Sequence, residues 1–172
     1  MVSNGEKLLD APGHSATDRP SDLAFRALLR TLGLIERVMH PYFARFAITG
    51  SQWGVLRALH RAEAEGANGL RLTDLSQRLI IRPPSVTGVV DRLERLGLVV
   101  RAAVPGDLRA RQVTLTPKAR QLIHRILPGH GEQIATLLSA LSPEDQAHLQ
   151  KTLTVLNDHL HGLAEHASEN EN

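Results

Sequence analysis

The sequence predicts a mainly α-helical protein that contains one small β-hairpin. Three observations support this prediction. Apolar residues recur at helical spacing at both ends of the 172-residue chain, Gly and Pro residues delimit shorter helical segments between them, and clear apolar–polar alternation occurs near residue 113. The length favours one domain, or one domain with a long interaction arm.

Composition narrows the possible function classes. The chain is 42 % hydrophobic and contains no cysteine, which excludes a disulfide framework, a thiolate nucleophile and a cysteine zinc site. No apolar run approaches the roughly 18 residues that a membrane helix needs, and the N-terminus lacks a signal-peptide pattern. We therefore expect a cytoplasmic protein that has no membrane partner and no cofactor.

Charge is distributed unevenly along the chain, although the net charge is only +2. Residues 71–120 hold ten Lys and Arg against four Asp and Glu, whereas residues 121–172 hold two against seven. A basic middle and an acidic C-terminal third suggest one face for an anionic polymer and another face that is kept away from it.

The first helix is expected over about residues 21–46, after a Gly-, Pro- and Ser-rich stretch that predicts a flexible tail over residues 1–20. Pro41 lacks a backbone donor and is expected to kink the last turn. The apolar residues of this helix are spaced alternately three and four apart and form a narrow stripe: Phe25, Leu28, Leu32, Ile35, Met39, Tyr42 and Phe46.

Two shorter helices follow. Thr49 and Gln52 form a capping-box pattern at the start of the second helix, whose buried side begins with Trp53. Thr73 is the expected N-cap of a short third helix that bears leucines at positions 75 and 79.

The fourth helix opens at Pro83 and Pro84, because proline is tolerated in a first helical turn, and it closes at Gly97. Two strands are then expected, at about residues 98–104 and 111–116. The second strand alternates, with Val113 and Leu115 on one face and polar residues on the other, and a turn joins the two strands.

Two helical segments complete the chain. One begins at Thr116-Pro117 and is expected to be bent or broken at residues 128–131; the last is capped by Ser142. A second narrow stripe runs along this last helix: Leu149, Leu153, Leu156, Leu160 and Leu163. A stripe this narrow suits another helix, so the two end helices either pack on each other within one chain or, as we prefer, form a homodimer.

The order of helix, turn, second helix and two-stranded hairpin is that of a winged helix-turn-helix. A wheel of the fourth helix gathers Val86, Val89, Val90, Leu93, Leu96 and Gly97 on one side. The other side is small near its N-terminus and basic further on, as suits a helix in the DNA major groove. The alternative is a capped surface helix with a solvent-exposed pair of Asp91 and Arg95, but the hairpin with its arginine tip favours DNA.

The stretch "IIRPPSVTGVVDRLERLGLVVRAAVPGDLRARQVTLTPKAR" resembles the recognition helix and wing of the MarR-type transcriptional regulators. The match includes the Pro-Ser-x-Thr helix start and the Asp-x-Arg that precedes "VTLTPKAR", and a less specific similarity extends over about residues 21–165. The resemblance implies a homodimer whose base is built from residues 21–48 and 117–166. Residues 49–116 would form the winged DNA-binding domain, and residues 167–172 would be a disordered C-terminus.

The resemblance also implies which residues contact DNA. From the wing, Arg109 would enter the minor groove with its guanidinium held by Asp107. The position of Arg111 at the base of the strand favours a contact with phosphate rather than with a base. Arg92 belongs to the basic part of the same helix face. Many relatives have a longer side chain at the position of Gly88, so no operator sequence can be transferred. The residues expected at the major groove are Arg82, Pro84, Ser85, Thr87 and Gly88.

The leading hypothesis is a repressor that binds an inverted-repeat operator in double-stranded DNA and is released by a small ligand such as an aromatic acid. In the family, such ligands bind between the dimer base and the winged domain. Here that region would be bordered by His40, Tyr42, Arg45 and Trp53, although a core position is the preferred interpretation of Trp53.

Other hypotheses remain open. A metal-responsive regulator of the same fold could use His159, His161, Glu165 and His166, but a solvated helix face is the simpler explanation and we assign no metal site. A DNA-binding protein without an effector is also compatible with the sequence. An enzyme is not expected, because G-x-S-x-G, H-E-x-x-H, a phosphate-binding glycine loop and a cysteine nucleophile are all missing.

Overall fold

Helices dominate the structure, a computed structural model that describes residues 19–79, 83–104 and 107–169. The helices are α1 (Pro20–Ala44), α2 (Gly50–Ala64), α3 (Leu72–Leu79), α4 (Pro83–Arg95), α5 (Pro117–Leu138) and α6 (Pro143–Glu169). The strands β1 (Val99–Val104) and β2 (Asp107–Leu115) pair antiparallel. The predicted mainly α architecture with one hairpin is confirmed. In these described ranges no helix is long and apolar enough to cross a membrane.

The hydrophobic core lies where α2, α4, the hairpin and the first half of α5 meet. Its largest fully buried side chains come from each of these elements and from α3: Val55, Leu56, Leu59, Leu75, Val86, Val90, Leu93, Val99, Val113, Ile123 and Ile126. The alternation predicted for the second strand is confirmed, since Val113 and Leu115 are both buried. The core therefore fixes α4 and the hairpin against the same set of helices.

β2 is longer than the sequence predicts. It begins at Asp107, so residues 107–110 belong to the strand rather than to the turn. Pairing is regular from Val99 opposite Leu115 as far as Ala103 opposite Arg111, and the register shifts between Ala103 and the next residue. Residues 105 and 106, the expected turn, lie outside the described residues.

The segment before α3 adds a bridge to the hairpin that the sequence analysis did not predict. Leu70 and Val113 each donate a backbone N–H to the other's carbonyl, at N···O distances of 3.1 and 2.7 Å. Gly69 permits this close approach. Its φ is +144°, and a Cβ there would lie 2.7 Å from the Thr114 side chain and 2.8 Å from the Val113 carbonyl oxygen.

The start of α3 corrects one expectation. The helix begins at Leu72, so Thr73 lies inside the first turn and is not the N-cap. The backbone N–H of Arg71 donates instead to the Asp74 carboxylate at 3.0 Å. Arg71 is therefore the residue that precedes the helix, and Asp74, the third residue of α3, accepts its backbone N–H. The Glu or Gln of a capping box makes the same contact.

The end of α4 agrees with the sequence analysis except at one residue. The Leu98 N–H donates to the Leu93 carbonyl, and Gly97 has φ +68°, which is the arrangement of a Schellman motif. The helix ends at Arg95, so Leu96 falls in this turn and is 40 % exposed rather than buried.

α5 continues without a break through Pro128, so the predicted interruption is not a helix end. The Tyr42 hydroxyl from α1 donates to the Ile126 carbonyl at 2.5 Å, just before the proline. Gly129 gives the tyrosine room, since a Cβ at this position would lie 3.1 Å from the hydroxyl oxygen. α1 is thereby tied to the middle of α5.

Helix ends at the two termini differ slightly from the predicted boundaries. α1 begins at Pro20 and ends at Ala44, and residues 1–18 of the predicted tail lie outside the described residues. α6 is capped by Ser142, whose Oγ accepts the N–H of Asp145 at 3.1 Å. It continues to Glu169, three residues into the segment for which disorder was expected.

The apolar stripes of α1 and α6 are largely uncovered. Phe25 and Leu32 of α1 are 62 % and 61 % exposed, and Leu153 and Leu160 of α6 are 40 % and 51 % exposed. A shallow groove of about 480 Å³ runs between the two helices, lined by Leu28, Gln150, Leu153, Thr154, Leu156, Asn157 and Leu160. Contact between α1 and α6 within one chain therefore leaves much apolar surface exposed.

Candidate nucleic-acid interface and adjoining cavity

The N-terminal half of α4 presents small residues outward. Ser85 is exposed, Thr87 and Gly88 are half-buried, and a Cβ at Gly88 would meet no atom within 4 Å. Pro84 lies in the first turn of this helix, but its side chain, like the whole of Arg82, is outside the described part of the chain. Hydroxyls and a glycine on an open helix face allow close approach of a base edge or a phosphate.

The acidic side chains of α4 are held by an arginine from the wing. Arg101 of β1 donates through Nη2 to Asp91 Oδ1 at 2.5 Å, and through Nη1 to the Glu94 carboxylate. The hydrogen bond that Arg101 donates to Asp91 is the main reason that the pKa of Arg101 is raised above its usual value. Arg95 donates to the Asp91 backbone carbonyl, at 3.4 Å, so the Asp91–Arg95 side-chain pair of the alternative interpretation is replaced by the pair with Arg101. The contact neutralises negative charge on α4 and fixes the hairpin beside it.

Ion pairs also engage cations elsewhere in the basic middle of the chain. Arg78 pairs with Glu65 at 3.0 Å, and Arg120 pairs with Glu63 at 2.6 Å. By contrast, three exposed arginines on α4 and β2 have no carboxylate partner among the described side chains: Arg92, Arg95 and Arg111. Among the described side chains, the arginines of α4 and β2 that lack a carboxylate partner are therefore exposed on the candidate DNA-facing side.

β2 sets the positions of the wing residues. Arg111 is two residues before Val113 and so lies on the same face of the strand, but beyond the core, where it is exposed. Asp107 and Arg109 take earlier places in β2, and their side chains are outside the described part of the structure. Their assigned contacts therefore stay predictions.

The end of α4 is fastened to the start of α5. Lys118 Nζ donates to the Leu96 carbonyl at 2.8 Å, and Thr116 Oγ1 donates to the Gly97 carbonyl at 2.8 Å. Carbonyls at a helix C-terminus lack helical donors, so the two side chains satisfy groups that would otherwise need water. α5 thereby holds the orientation of α4.

The sequence model of the MarR family matches residues 48–110, from the start of α2 into β2. This span contains the helix pair and the hairpin described above. Over this span the chain matches the MarR family. The predicted winged helix-turn-helix class is confirmed by this match and by similar solved structures, and the MarR-type relatives that the chain resembles are transcriptional regulators.

Known MarR-type regulators resemble this chain over most of its length. The regulator PecS of Dickeya dadantii is 29 % identical over 138 residues, which cover 80 % of this chain and 82 % of PecS. The homoprotocatechuate degradative operon repressor of Escherichia coli is 31 % identical over 99 residues, 58 % of this chain and 64 % of the repressor. Sco3205 of Streptomyces coelicolor, solved in complex with DNA, superposes with a TM-score of 0.72 at 26 % identity, covering 83 % of this chain and 93 % of Sco3205.

A cavity of about 870 Å³ lies between α1, the start of α2 and the second half of α5. His40 and Trp53 line it, as the sequence analysis expected, and Trp53 is also part of the core at 5 % exposure. Tyr42 and Arg45 do not line it. The Tyr42 hydroxyl points to α5, and the Arg45 guanidinium lies over the Tyr42 ring, 4.7 Å from its centroid.

His130 of α5 lines the same cavity and was missed by the sequence analysis. Its ring centroid is 5.1 Å from that of Trp53 and 5.9 Å from that of Phe43. Burial, with a smaller effect of Arg57, lowers the pKa of His130 below its usual value, so the imidazole is neutral at pH 7. A neutral imidazole offers one donor and one acceptor. The available signal was helical phase, since His130 lies four residues after the buried Ile126.

The described residues contain no group of three or more His, Asp or Glu that could hold a metal ion. His159, His161 and His166 are exposed on α6, and the Glu165 side chain is outside the described part. The metal-responsive alternative built on these residues therefore gains no support from the described geometry.

The substitution Gly88→Ala tests whether this face of α4 meets DNA. Alanine is expected to raise the free energy of unfolding by about 0.5–1 kcal/mol, because Gly88 is helical and a Cβ there meets no neighbour. It should lower affinity for operator DNA, measured by electrophoretic titration, because the methyl group enters the contact. Gly162→Ala on α6, equally free of neighbours, is the control and should leave DNA affinity unchanged. Equal DNA affinities in the two variants would remove Gly88 from the interface.

Proposed function

We propose that this chain is a homodimeric repressor that binds an inverted-repeat operator and is released by a small aromatic ligand. The observation that supports DNA binding most directly is the charge distribution around α4. Arg101 pairs with both Asp91 and Glu94 and offsets one of their two negative charges, while Arg92 and Arg111 stay exposed without carboxylate partners among the described residues. The reduced negative charge and the exposed arginines make the surface around α4 attractive to phosphate.

In the proposed complex, α4 enters the major groove with Ser85, Thr87 and Gly88 at the base edges. Arg109 enters the minor groove, and Arg111 contacts phosphate. Two such helices in a dimer require half-sites one helical turn apart, about 34–36 Å. The repressor role is supported by the name of one relative, the homoprotocatechuate degradative operon repressor.

The proposed dimer uses the exposed stripes of α1 and α6. Within one chain these helices leave large apolar side chains uncovered, from Phe25 and Leu32 to Leu153 and Leu160. Covering such a side chain contributes about 1.5–3 kcal/mol before the entropic cost of association. A second copy of the chain, with its own two stripes, is the matching partner.

The proposed ligand site is the cavity that Trp53, Phe43 and His130 share. Its volume of about 870 Å³ suits a small molecule. The aromatic walls favour a planar ring, and the neutral His130 can hydrogen-bond a hydroxyl or carboxyl group on that ring. His40 lines the same cavity as a second polar group.

The DNA assignment is tested with Arg109→Ala. Affinity for the chain's own promoter DNA is expected to fall, and the slope of log affinity against log salt should become shallower by about one phosphate equivalent per contact removed. Fluorescence anisotropy at several salt concentrations measures both quantities. Arg125→Ala, an exposed cation on α5, is the matched control and should leave the slope unchanged. An unaltered slope in Arg109→Ala would contradict the minor-groove role.

The ligand assignment is tested through Trp53, the single tryptophan of the chain. Phenol, benzoate and salicylate serve as probes. At least one should change Trp53 emission saturably and release the protein from promoter DNA. His130→Gln should weaken binding of that probe by about 5- to 30-fold, the effect of 1–2 kcal/mol for a buried hydrogen bond. His148→Gln on exposed α6 is the control. Saturable binding that His130→Gln leaves intact would exclude His130 from the site.

A further inference from the structure

Two imidazole rings face each other across the contact between α2 and α5. The ring centroid of His60 lies 6.4 Å from that of His124, and the ring planes are nearly perpendicular at 86°. His60 is half-buried and His124 is exposed, so solvent reaches the space between them. Neither residue lines the cavity or belongs to the proposed DNA-facing set.

We propose that His60 and His124 together bind one divalent transition-metal ion, with Zn²⁺ as the representative, and that the ion links α2 to α5. Metal–nitrogen bonds of about 2.0–2.1 Å put each ring centroid about 3 Å from the ion, so a shared ion needs centroids about 5–6 Å apart. Small side-chain rotations close the observed 6.4 Å to this range. Imidazole nitrogen is a preferred ligand of zinc, copper and nickel.

A neighbouring ion pair fixes the spacing of the two helices. Glu63 is one turn after His60 on α2, and Arg120 is one turn before His124 on α5. The Arg120 guanidinium donates twice to the Glu63 carboxylate, at 2.6 and 3.0 Å. This bidentate contact joins α2 to α5 one turn away from the two imidazoles, on the same side of the helix pair.

The site has two protein ligands. No third His, Asp or Glu joins them within the described ranges, and the Glu63 carboxylate is already engaged by Arg120. Two positions of a four-coordinate ion are thus open to water, which distinguishes an exchangeable site from a closed structural one. Because the ion binds the folded arrangement of α2 and α5, it stabilises that arrangement in proportion to its concentration.

Calorimetric titration of Zn²⁺ into the metal-free full-length chain tests the site. We expect one equivalent of Zn²⁺ to bind per chain with an affinity that requires both His60 and His124. His60→Ala and His124→Gln should each weaken this equivalent by about tenfold or more, and the double variant should lose little beyond either single variant. His124 is exposed, so its replacement preserves the fold.

Background binding by the three histidines in the C-terminal part of α6 is removed with a triple variant, His159→Ala, His161→Ala and His166→Ala. This variant should keep the high-affinity equivalent and should still show a Zn²⁺-dependent rise in the midpoint of thermal unfolding. His124→Gln should show no such rise. Zinc affinity that is unchanged in His124→Gln, or lost only in the triple variant, would overturn the proposal, as would failure of the unmodified chain to bind Zn²⁺. None of these readouts depends on DNA or on an effector.

Discussion

Replacing Leu153 and Leu160 of α6 with glutamate is expected to convert the proposed dimer to a monomer and to reduce operator affinity by roughly 10²–10⁴-fold. The two leucines lie on the exposed stripe that the proposed interface covers. Burying an ionised carboxylate in an apolar contact costs far more than the contact gains. A monomer binds one half-site only, so it loses the effective-concentration advantage of two linked recognition helices.

Analytical ultracentrifugation measures the oligomeric state, and anisotropy with promoter DNA measures affinity. Lys151→Glu is the matched control, since it introduces the same side chain on α6 at an exposed position off the stripe. It should remain dimeric and bind DNA with nearly unchanged affinity. Far-ultraviolet circular dichroism should show the helical content retained in every variant. A dimer that persists with both glutamates present would show that the stripe of α6 is not the interface.

Gly69→Ala is expected to lower the free energy of unfolding by about 2–6 kcal/mol. Alanine at φ +144° is strained, which costs about 1–3 kcal/mol. Its Cβ would also lie 2.8 Å from the Val113 carbonyl oxygen, so the bridge between Leu70 and β2 has to open or shift, at a further cost of about 1–3 kcal/mol. Urea denaturation followed by circular dichroism gives the difference.

Gly66→Ala separates these two costs. Gly66 also has a positive φ, +88°, but a Cβ there meets no atom within 4 Å. It should therefore lose only the conformational part, about 1–2 kcal/mol. If the two alanine variants are equally destabilised, the close approach of Gly69 to β2 contributes nothing measurable to stability.

The helix boundaries that the sequence predicts well depend on contacts between residues three or four apart. At Thr49 the predicted capping box is complete: its hydroxyl accepts the Gln52 N–H at 3.2 Å, and its own N–H donates to the Gln52 side chain at 2.8 Å. Thr116 caps α5 through its hydroxyl, which accepts the Ala119 N–H at 3.2 Å. These capping hydrogen bonds can be predicted from the sequence, because residues three apart lie next to each other at the start of any helix.

Contacts between distant segments could not be read in this way. The bond from Tyr42 to the Ile126 carbonyl joins residues 84 positions apart, and it explains why a glycine follows the proline of α5. The ion pairs of Arg101 cross from the wing to α4. Both depend on the angles at which elements pack, and residue patterns within one element carry no information about those angles.

At the candidate ligand site, the sequence analysis placed residues together that the structure separates. His40 and Tyr42 are two residues apart on α1, so they point about 200° apart around the helix and cannot both face one cavity. The structure divides them accordingly, with His40 at the cavity and Tyr42 against α5. Helical phase alone was enough to separate these two residues, whereas His130 becomes a candidate only when α5 is known to be unbroken.

Because α5 is one continuous helix, it connects the cavity directly to the end of α4. At one end, Lys118 and Thr116 donate hydrogen bonds to the carbonyls of the turn that follows α4, and His130 of the same helix lines the cavity. Twelve residues of helix separate Lys118 from His130, about 18 Å. A tilt of about 5° at the cavity end displaces the other end by about 1.5 Å over that length, half the span of a hydrogen bond. In the proposed function, a ligand bound beside Trp53 therefore changes the orientation of α4 in the DNA groove without contacting α4.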